Sequence, residues 1–275
     1  MAVTDRDAQS LYLDRIRREL TRYGMRERMP AEWSLRRRLL VKTYGTLAPI
    51  VMRINPFGER KRDLGLDWPA EAETMIGMQR LTSLQHCVET VLTDDIPGDL
   101  VECGVWRGGA AILMRAVLSA YGDETRCVWL ADSFEGVPLP DPANESPGLV
   151  AKINKLLVPE IYAGILAVPE TEVRANFERY GLLDDQVRFL PGWFKDTLPN
   201  APIDRIAVLR LDGDLYDSTM ESLDALYPRL SPGGFCIIDD YALPGCRQAV
   251  TEYRAKHDVS AEIVDIDGLG ALWRK

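Results

Sequence analysis

Apolar positions recur along this chain with two different spacings, which separate the predicted helices from the predicted strands. From Thr74 to Leu92 apolar residues recur every three or four positions, which predicts a helix. Leu11–Tyr23 has the same pattern and predicts an amphipathic N-terminal helix. Residues 24–70 lack a clear period and are broken by prolines and a glycine. We therefore expect an N-terminal helical extension or lid over residues 1–73 and a main domain over residues 74–275.

In the main domain, short continuous apolar runs alternate with helical stretches. The predicted strands are Leu100–Cys103, Cys127–Ala131, Val187–Leu190, Ile206–Leu211 and Phe235–Ile238. The helices predicted between and after them are Ala110–Tyr121, Thr171–Tyr180, Ser218–Tyr227 and Arg247–His257. Continuous apolar strands that alternate with helices predict a parallel sheet that is covered on both faces.

The C-terminus departs from this alternation. Ala261–Ile266 and Leu269–Trp273 read as strands on either side of Asp267-Gly268, a dipeptide typical of hairpin turns. A parallel, Rossmann-like sheet that ends in an antiparallel hairpin is the arrangement of class I methyltransferases rather than of dehydrogenases. The α/β fold is further interrupted at residues 135–170 by a proline-rich insertion, which predicts a lid or a binding loop.

Charge is unevenly distributed along the sequence. Residues 1–62 contain 15 Lys and Arg against 7 Asp and Glu, whereas the remainder contains 18 against 35. So acidic a main domain would repel a phosphate backbone, which argues against nucleic acid as a partner. The basic run Arg36–Arg38 is interpreted as a solvated helix face, with an acidic partner or a membrane surface as the alternative. We expect no membrane partner, and a homo-oligomer formed through the N-terminal segment.

Other bulk features are those of a cytoplasmic protein. The apolar runs are much shorter than the span of about 20 residues that a membrane requires, and the first residues do not read as a secretory signal. The five cysteines form no CxxC pair, which fits reduced thiols and argues against a zinc site.

A glycine-rich turn follows the first predicted strand. Gly104 and Gly108 would let a ligand approach the backbone closely at the start of a helix. The spacing is G-x-x-x-G-G and differs from the G-x-G-x-x-G of dinucleotide sites, which gives a pyrophosphate less support. The alternative is a turn with a purely structural role.

Asp132 follows the second predicted strand directly. An acidic residue at the tip of that strand is where nucleotide-like sites hold a ribose. Together with the glycine turn on the adjacent strand, Asp132 predicts a pocket for an adenosine. The alternative is helix capping, for which Asp132-Ser133 is suitable chemistry.

Four aspartates end two neighbouring strands of the predicted sheet. Asp212 and Asp214 follow the fourth strand, and Asp239 and Asp240 follow the fifth. Carboxylates gathered at one sheet edge repel one another unless a cation neutralises some of them, and oxygen ligands suit Mg²⁺. The pattern predicts a magnesium site, with helix capping or exposure of two of the four as the alternative.

At these residues the sequence resembles the macrocin O-methyltransferase family, which includes enzymes that methylate sugar hydroxyls of mycinamicin and novobiocin. The similarity extends over residues 65–275 and is weakest at residues 24–64 and 141–170. The stretches that carry it are Thr74–Met78, Leu84–Cys87, Pro97–Leu100, Gly104–Gly109, Ala131–Phe134, Tyr180–Val187, Pro191–Thr197, Leu211–Asp214, Pro228–Gly234, Asp239–Tyr241 and Trp273-Arg274.

This resemblance implies a Mg²⁺-dependent transfer of a methyl group from S-adenosylmethionine to a sugar hydroxyl of a small glycosylated acceptor. It implies Asp212, Asp239 and Asp240 as Mg²⁺ ligands and Asp214 as the general base. The cofactor would be contacted by a larger set of residues, namely Met75, Glu102, Gly104, Gly108, Asp132, Ser133, Trp193, Phe194 and Asp212. For Trp193 and Phe194, packing in the core is the alternative.

Three other functions stay open at this point. The acceptor hydroxyl could belong to a catechol or a polyketide instead of a sugar. An NAD-dependent oxidoreductase would need the dinucleotide glycine spacing and has no use for four clustered aspartates. A non-catalytic cofactor-binding protein would not need the aspartates to be intact.

Overall fold

The sheet has seven strands in a computed structural model that describes residues 5–23, 59–66, 71–145 and 166–275. The strands are β1 Asp99–Cys103, β2 Val128–Asp132, β3 Val187–Pro191, β4 Ile206–Leu211, β5 Leu230–Ile238, β6 Val264–Asp265 and β7 Ala271–Arg274. Their order across the sheet is β3-β2-β1-β4-β5-β7-β6. The first five strands pair in parallel, and β7 pairs antiparallel with both β5 and β6.

Strand order reverses between β1 and β4, which are neighbours although they are distant in sequence. In open α/β sheets this reversal leaves a crevice at the carboxyl ends of the strands, where ligands bind. The register pairs Cys103 with Leu211, and Leu211 with Ile238. The residues that follow these three positions therefore meet at one edge of the sheet.

Helices cover the sheet on both faces. They are α1 Asp5–Leu20, α2 Glu59–Leu64, α3 Met78–Thr93, α4 Gly109–Tyr121, α5 Glu170–Arg179, α6 Phe194–Thr197, α7 Tyr216–Leu226 and α8 Pro244–Lys256. Successive residues of a strand point to opposite faces. Accordingly, Leu100 and Val208 join the apolar cluster under α1, α3 and α4, whereas Val101 and Leu209 join the cluster under α7 and α8.

The N-terminal helix is part of this packing. Leu13, Ile16 and Leu20 of α1 are buried in the same cluster as the core of α4. The Arg36–Arg38 run and residues 146–165 of the predicted insertion lie outside the described residues. Within the described ranges, no helix has the length and apolar character needed to cross a membrane.

Several element boundaries differ from the sequence prediction, among them the start of β5, which lies at Leu230 rather than at Phe235. Helix α3 begins at Met78 rather than near Thr74, because residues 71–77 contain a turn and bends, and Gly77, directly before the helix, has extended backbone. A Cβ added at Gly77 would lie 2.1 Å from the Asp63 carbonyl oxygen. In the C-terminal hairpin, Ile266 N donates to Gly270 O at 3.0 Å, so three residues and not two form its turn. The strand predicted over Ala261–Ile266 is confined to Val264–Asp265.

Candidate active site

A cavity of about 300 Å³ opens at the carboxyl ends of β1, β2, β3 and β4. This is the position that the strand reversal favours. Its walls come from the glycine turn, the loop after β2, the start of α6 and the turn before α7. Seven of the nine predicted cofactor residues line it together with the predicted base Asp214, namely Met75, Gly104, Asp132, Ser133, Trp193, Phe194 and Asp212.

Gly104 brings two strand ends together at the base of the cavity. It has φ +87°, and a Cβ there would lie 1.8 Å from the Asp212 carbonyl oxygen. Only glycine combines this backbone angle with so close an approach. Gly108 also has φ +87° and precedes α4. A Cβ added there would point toward Val173 of α5, and Gly108 does not line the cavity. Gly108 thus shapes the turn from behind.

Asp132 holds the glycine turn from the side of β2. Its carboxylate accepts hydrogen bonds from Val105 N at 2.6 Å, Trp106 N at 3.4 Å and Phe134 N at 2.8 Å. Burial raises the pKa of Asp132, and these backbone donors oppose the rise. Ser133 caps its own turn by donating from Oγ to Gly136 O at 2.8 Å. Both residues border the cavity while serving the local structure, so the predicted ribose contact stays a prediction.

Three aspartates form the acidic group of the site. One carboxylate oxygen from each of Asp212, Asp214 and Asp240 lies within 4.8 Å of the others. Asp214 has φ +58°, an uncommon angle for a residue with a side chain, and its N–H donates to Asp240 Oδ2 at 3.3 Å. Strained backbone of this kind is often found at functional sites.

Burial and mutual repulsion change the acidity of this group. Burial, followed by the charges of Asp212, Asp239 and Glu145, raises the pKa of Asp214 to about 7. Burial and the charges of Asp214 and Asp212 raise the pKa of Asp240 well above its ordinary value. Buried carboxylates that repel one another are stabilised by a cation that takes the place of their protons. The donor set, which is oxygen only, fits Mg²⁺.

Asp239 is placed apart from the acidic group. Its Oδ1 accepts a hydrogen bond from Arg210 Nη2 at 2.6 Å, and its Oδ2 accepts one from Arg80 Nη1. The side chain is 4% exposed and does not line the cavity. Successive residues at a strand end project to different sides, so Asp239 and Asp240 face different neighbours. The role of Asp239 as a metal ligand stays a prediction. Each of its two carboxylate oxygens already accepts a hydrogen bond from an arginine.

Glu102 is likewise committed to an arginine. Arg210 Nη1 donates to Glu102 Oε1, and both side chains are almost fully buried. Burial raises the pKa of Glu102 to about 8, against the opposing charge of Arg210. Glu102 does not line the cavity, so its predicted cofactor contact stays a prediction.

Three site residues were missed by the sequence reasoning. Arg210 lies in β4, and an arginine within an otherwise apolar strand was the available signal. Arg80 is on α3 and bridges Asp239 to Asp267, which its Nε reaches at 3.0 Å. Glu145 accepts from Tyr216 N at 2.6 Å and adds negative charge near Asp214. No sequence signal marked Arg80 or Glu145.

Comparison with known proteins gives a consistent result. A sequence profile described as Macrocin-O-methyltransferase (TylF) matches residues 9–275. The chain is 52% identical over 271 residues to the 8-demethyl-8-(2,3-dimethoxy-alpha-L-rhamnosyl)-tetracenomycin-C 4'-O-methyltransferase of Streptomyces olivaceus, covering 98% of this chain and 94% of that protein. It is 55% identical over 219 residues to Mycinamicin III 3''-O-methyltransferase of Micromonospora griseorubida, covering 80% and 85%.

A solved structure gives the same answer for the fold. The O-methyltransferase NovP is similar to this chain with a TM-score of 0.79 and 45% sequence identity. The similarity covers 97% of this chain and 99% of that one, so it includes the sheet and the strand ends that build the cavity.

Proposed function

This chain belongs to the macrocin O-methyltransferase family, and on that premise we propose that it methylates a sugar hydroxyl of a secondary metabolite, with S-adenosylmethionine as the donor. Membership makes the chain an O-methyltransferase and confirms the resemblance and the fold class predicted from the sequence. The oxidoreductase and the non-catalytic hypotheses are thereby set aside. The sugar acceptor, the methyl donor, Mg²⁺ and the aspartate base are parts of the proposal.

One observation carries the proposal. The acidic group Asp212, Asp214 and Asp240 adjoins the same cavity as the glycine turn and Asp132. A volume of about 300 Å³ is at the small end of the range for ligand pockets. It suits a site in which the cavity holds the cofactor and the acceptor binds at the mouth of the cavity. Donor and acceptor would meet where Gly104 joins the end of β1 to the end of β4.

The cofactor residues fit S-adenosylmethionine in chemical type. Gly104 leaves backbone exposed beside the cavity, Met75 offers an apolar thioether, and Trp193 and Phe194 offer aromatic rings in its lining. Asp132 would receive the ribose hydroxyls in addition to its backbone donors. The positive charge of the sulfonium is compatible with the acidic strand ends.

For the cation, Asp212 and Asp240 are the residues on which the sequence prediction and the geometry agree. When bound there, Mg²⁺ would supply Lewis acidity that lowers the pKa of an acceptor hydroxyl. Asp214 is the third carboxylate of the acidic group, close enough to the two proposed ligands to accept the proton of a hydroxyl bound beside them.

With S-adenosylmethionine as the methyl donor, the chemical step would balance. Asp214 would take the proton of the acceptor hydroxyl, the oxygen would form a bond to the methyl carbon, and the carbon–sulfur bond would break to leave a neutral thioether. Most of the rate enhancement would come from the alignment of oxygen, carbon and sulfur. Leu211 and Ile238, the last residues of β4 and β5, are buried, so the strand ends that carry the aspartates are anchored in the apolar core.

The proposal is tested by incubating the purified protein with S-adenosylmethionine and a panel of glycosylated metabolites. The panel includes rhamnosylated tetracenomycins and mycinamicins with a free sugar hydroxyl, because relatives of this chain are named for such acceptors. Each glycoside is matched with its aglycone. We expect mass spectrometry to find one added methyl group on the sugar of at least one glycoside. Methylation of the aglycones alone would favour the catechol or polyketide acceptor instead.

A further inference from the structure

A buried ion network outside the acidic group centres on Glu73, whose side chain is 2% exposed. Glu73 Oε1 accepts hydrogen bonds from Arg22 Nη2 at 2.8 Å and from Arg179 Nη2 at 2.6 Å. Glu73 Oε2 accepts from the Tyr180 hydroxyl at 3.1 Å. Arg22 follows α1, whereas Arg179 and Tyr180 end α5, so one carboxylate joins two helices that are far apart in sequence.

The main chain of Glu73 makes two further connections. Its N–H donates to Leu20 O, in the last turn of α1, at 3.0 Å. Its carbonyl oxygen accepts from Gly109 N, the first residue of α4, at 2.9 Å. A Cβ added at Gly109 would lie 2.6 Å from this oxygen, so the contact with the glycine turn is close.

The neighbours of Glu73 are held in the same way. Arg22 Nε donates to Glu71 O at 2.9 Å, and Arg107 Nη1, from within the glycine turn, donates to Ala72 O at 3.0 Å. Met75, two residues beyond Glu73, lines the cavity. A displacement of Glu73 would therefore move both the start of α4 and a wall of the cavity.

The energetics of such a network favour a geometric role over a stabilising one. The desolvation of a buried ion pair roughly cancels its attraction, and an apolar residue of similar volume is often as stabilising. Three donors on one carboxylate instead fix its position. Arg22 also has φ +55°, an uncommon angle that directs its side chain back toward residues 71–73.

We propose that Glu73 is a positioning residue for the cofactor, which couples the seating of the N-terminal helix α1 to the shape of the cofactor pocket. The inference rests on the proposed function, since it takes the cavity beside Met75 to be the site of S-adenosylmethionine. It predicts that cofactor affinity depends on side chains that do not touch the cofactor.

The test is calorimetric titration of S-adenosylhomocysteine, the demethylated product, into the full chain and its variants. We expect Glu73→Ala to weaken binding at least about tenfold, the scale of one lost buried charged hydrogen bond. Glu73→Gln keeps an acceptor for the arginines and should recover part of the affinity. Arg179→Met removes one of the three donors and should give an intermediate loss.

Two controls separate positioning from general destabilisation. Arg174→Met alters an arginine on the same helix, α5, that pairs with Glu170 instead of Glu73. Arg115→Met, on α4, breaks the pair with Asp184 and lowers stability without reaching residues 71–75. Both controls should bind the product with the affinity of the parent chain.

The outcomes distinguish the inference from the proposed function. If the parent chain fails to bind S-adenosylhomocysteine, the proposed function is wrong. If the parent chain binds it and Glu73→Ala and Arg179→Met bind equally well, the positioning role is wrong. The positioning role is also wrong if Arg115→Met, at the same thermal stability as Glu73→Ala, loses as much affinity for S-adenosylhomocysteine as Glu73→Ala does. Should Glu73→Ala fail to fold, Arg179→Met decides, because its side chain is 57% exposed and its removal leaves Glu73 paired with Arg22.

Discussion

Arg210, which lies in the strand that Asp212 follows, donates a hydrogen bond to Asp239 at 2.6 Å. This ion pair lies directly behind the acidic group. The same guanidinium donates to Asp212 at 2.9 Å. An internal cation therefore faces the aspartates from inside the sheet. It offsets part of their repulsion before any metal binds, which lets so many carboxylates end two adjacent strands.

Arg80 completes this network, and its loss should lower stability. Arg80→Met leaves Asp267 without its buried partner and leaves Asp239 with Arg210 alone, and breaking a buried pair by removing one member costs about 3 kcal/mol or more. Urea unfolding should show this decrease in the free energy of unfolding. Arg15→Met is the matched control, because the Arg15–Glu19 pair is exposed and contributes little to stability. Equal losses in the two variants would contradict the structural role of Arg80.

Asp214→Asn should separate chemistry from binding. The amide keeps the shape of the side chain but cannot accept the acceptor's proton, so we expect kcat to fall by at least about 100-fold. Titration of S-adenosylhomocysteine should give an unchanged affinity. Asp217→Asn, at the same edge of the cavity but outside the acidic group, should keep most of its activity. Normal turnover by Asp214→Asn would remove Asp214 from the role of base.

Much of the fold could be predicted from the sequence because its strands are buried on both faces. Continuous apolar runs such as Ile206–Leu211 and Phe235–Ile238 marked the central strands, and the ends of β4 and β5 are neighbours as expected. Parallel pairing then brought Asp212 and Asp240 together without further information. The start of α3 was placed too early because Thr74–Gly77 continues the apolar period of the helix while its backbone is held by other segments.

The roles of individual aspartates were harder to predict. Periodicity identifies the strand that a residue follows but not the neighbour that its side chain meets. Asp239 and Asp240 are adjacent in sequence, yet one accepts from two arginines and the other joins the acidic group. Arg80 is more than 150 positions from Asp239, so only the folded chain connects them.

Asp184 predicts a pH dependence of stability. The hydrogen bond from Arg115 holds the pKa of Asp184 below its ordinary value. A carboxyl with a lowered folded-state pKa stabilises the protein above its unfolded-state pKa, and this stabilisation is lost as the pH falls through the folded-state value. The difference in Tm between the parent chain and Asp184→Asn should therefore be largest near neutral pH, begin to shrink near the unfolded-state pKa of about 4, and disappear below the folded-state pKa. A difference that does not shrink as the pH falls below about 4 would show that the charge of Asp184 does not contribute to stability.

Mg²⁺ should be required for turnover, and Asp240 should matter to its affinity more than Asp239. EDTA is expected to abolish methyl transfer and added Mg²⁺ to restore it, because the acidic group offers oxygen ligands only.

Titration of Mg²⁺ into Asp240→Asn should give an affinity at least about tenfold weaker, since one carboxylate of the group is neutralised. Asp239→Asn should instead lower the free energy of unfolding, because Arg80 and Arg210 each lose one of their buried anionic partners. If Asp239→Asn weakens Mg²⁺ binding as much as Asp240→Asn does and leaves stability unchanged, Asp239 is a ligand as the sequence predicts, and the arginines release it when the cation binds. Activity that survives EDTA would remove the metal from the proposed function altogether.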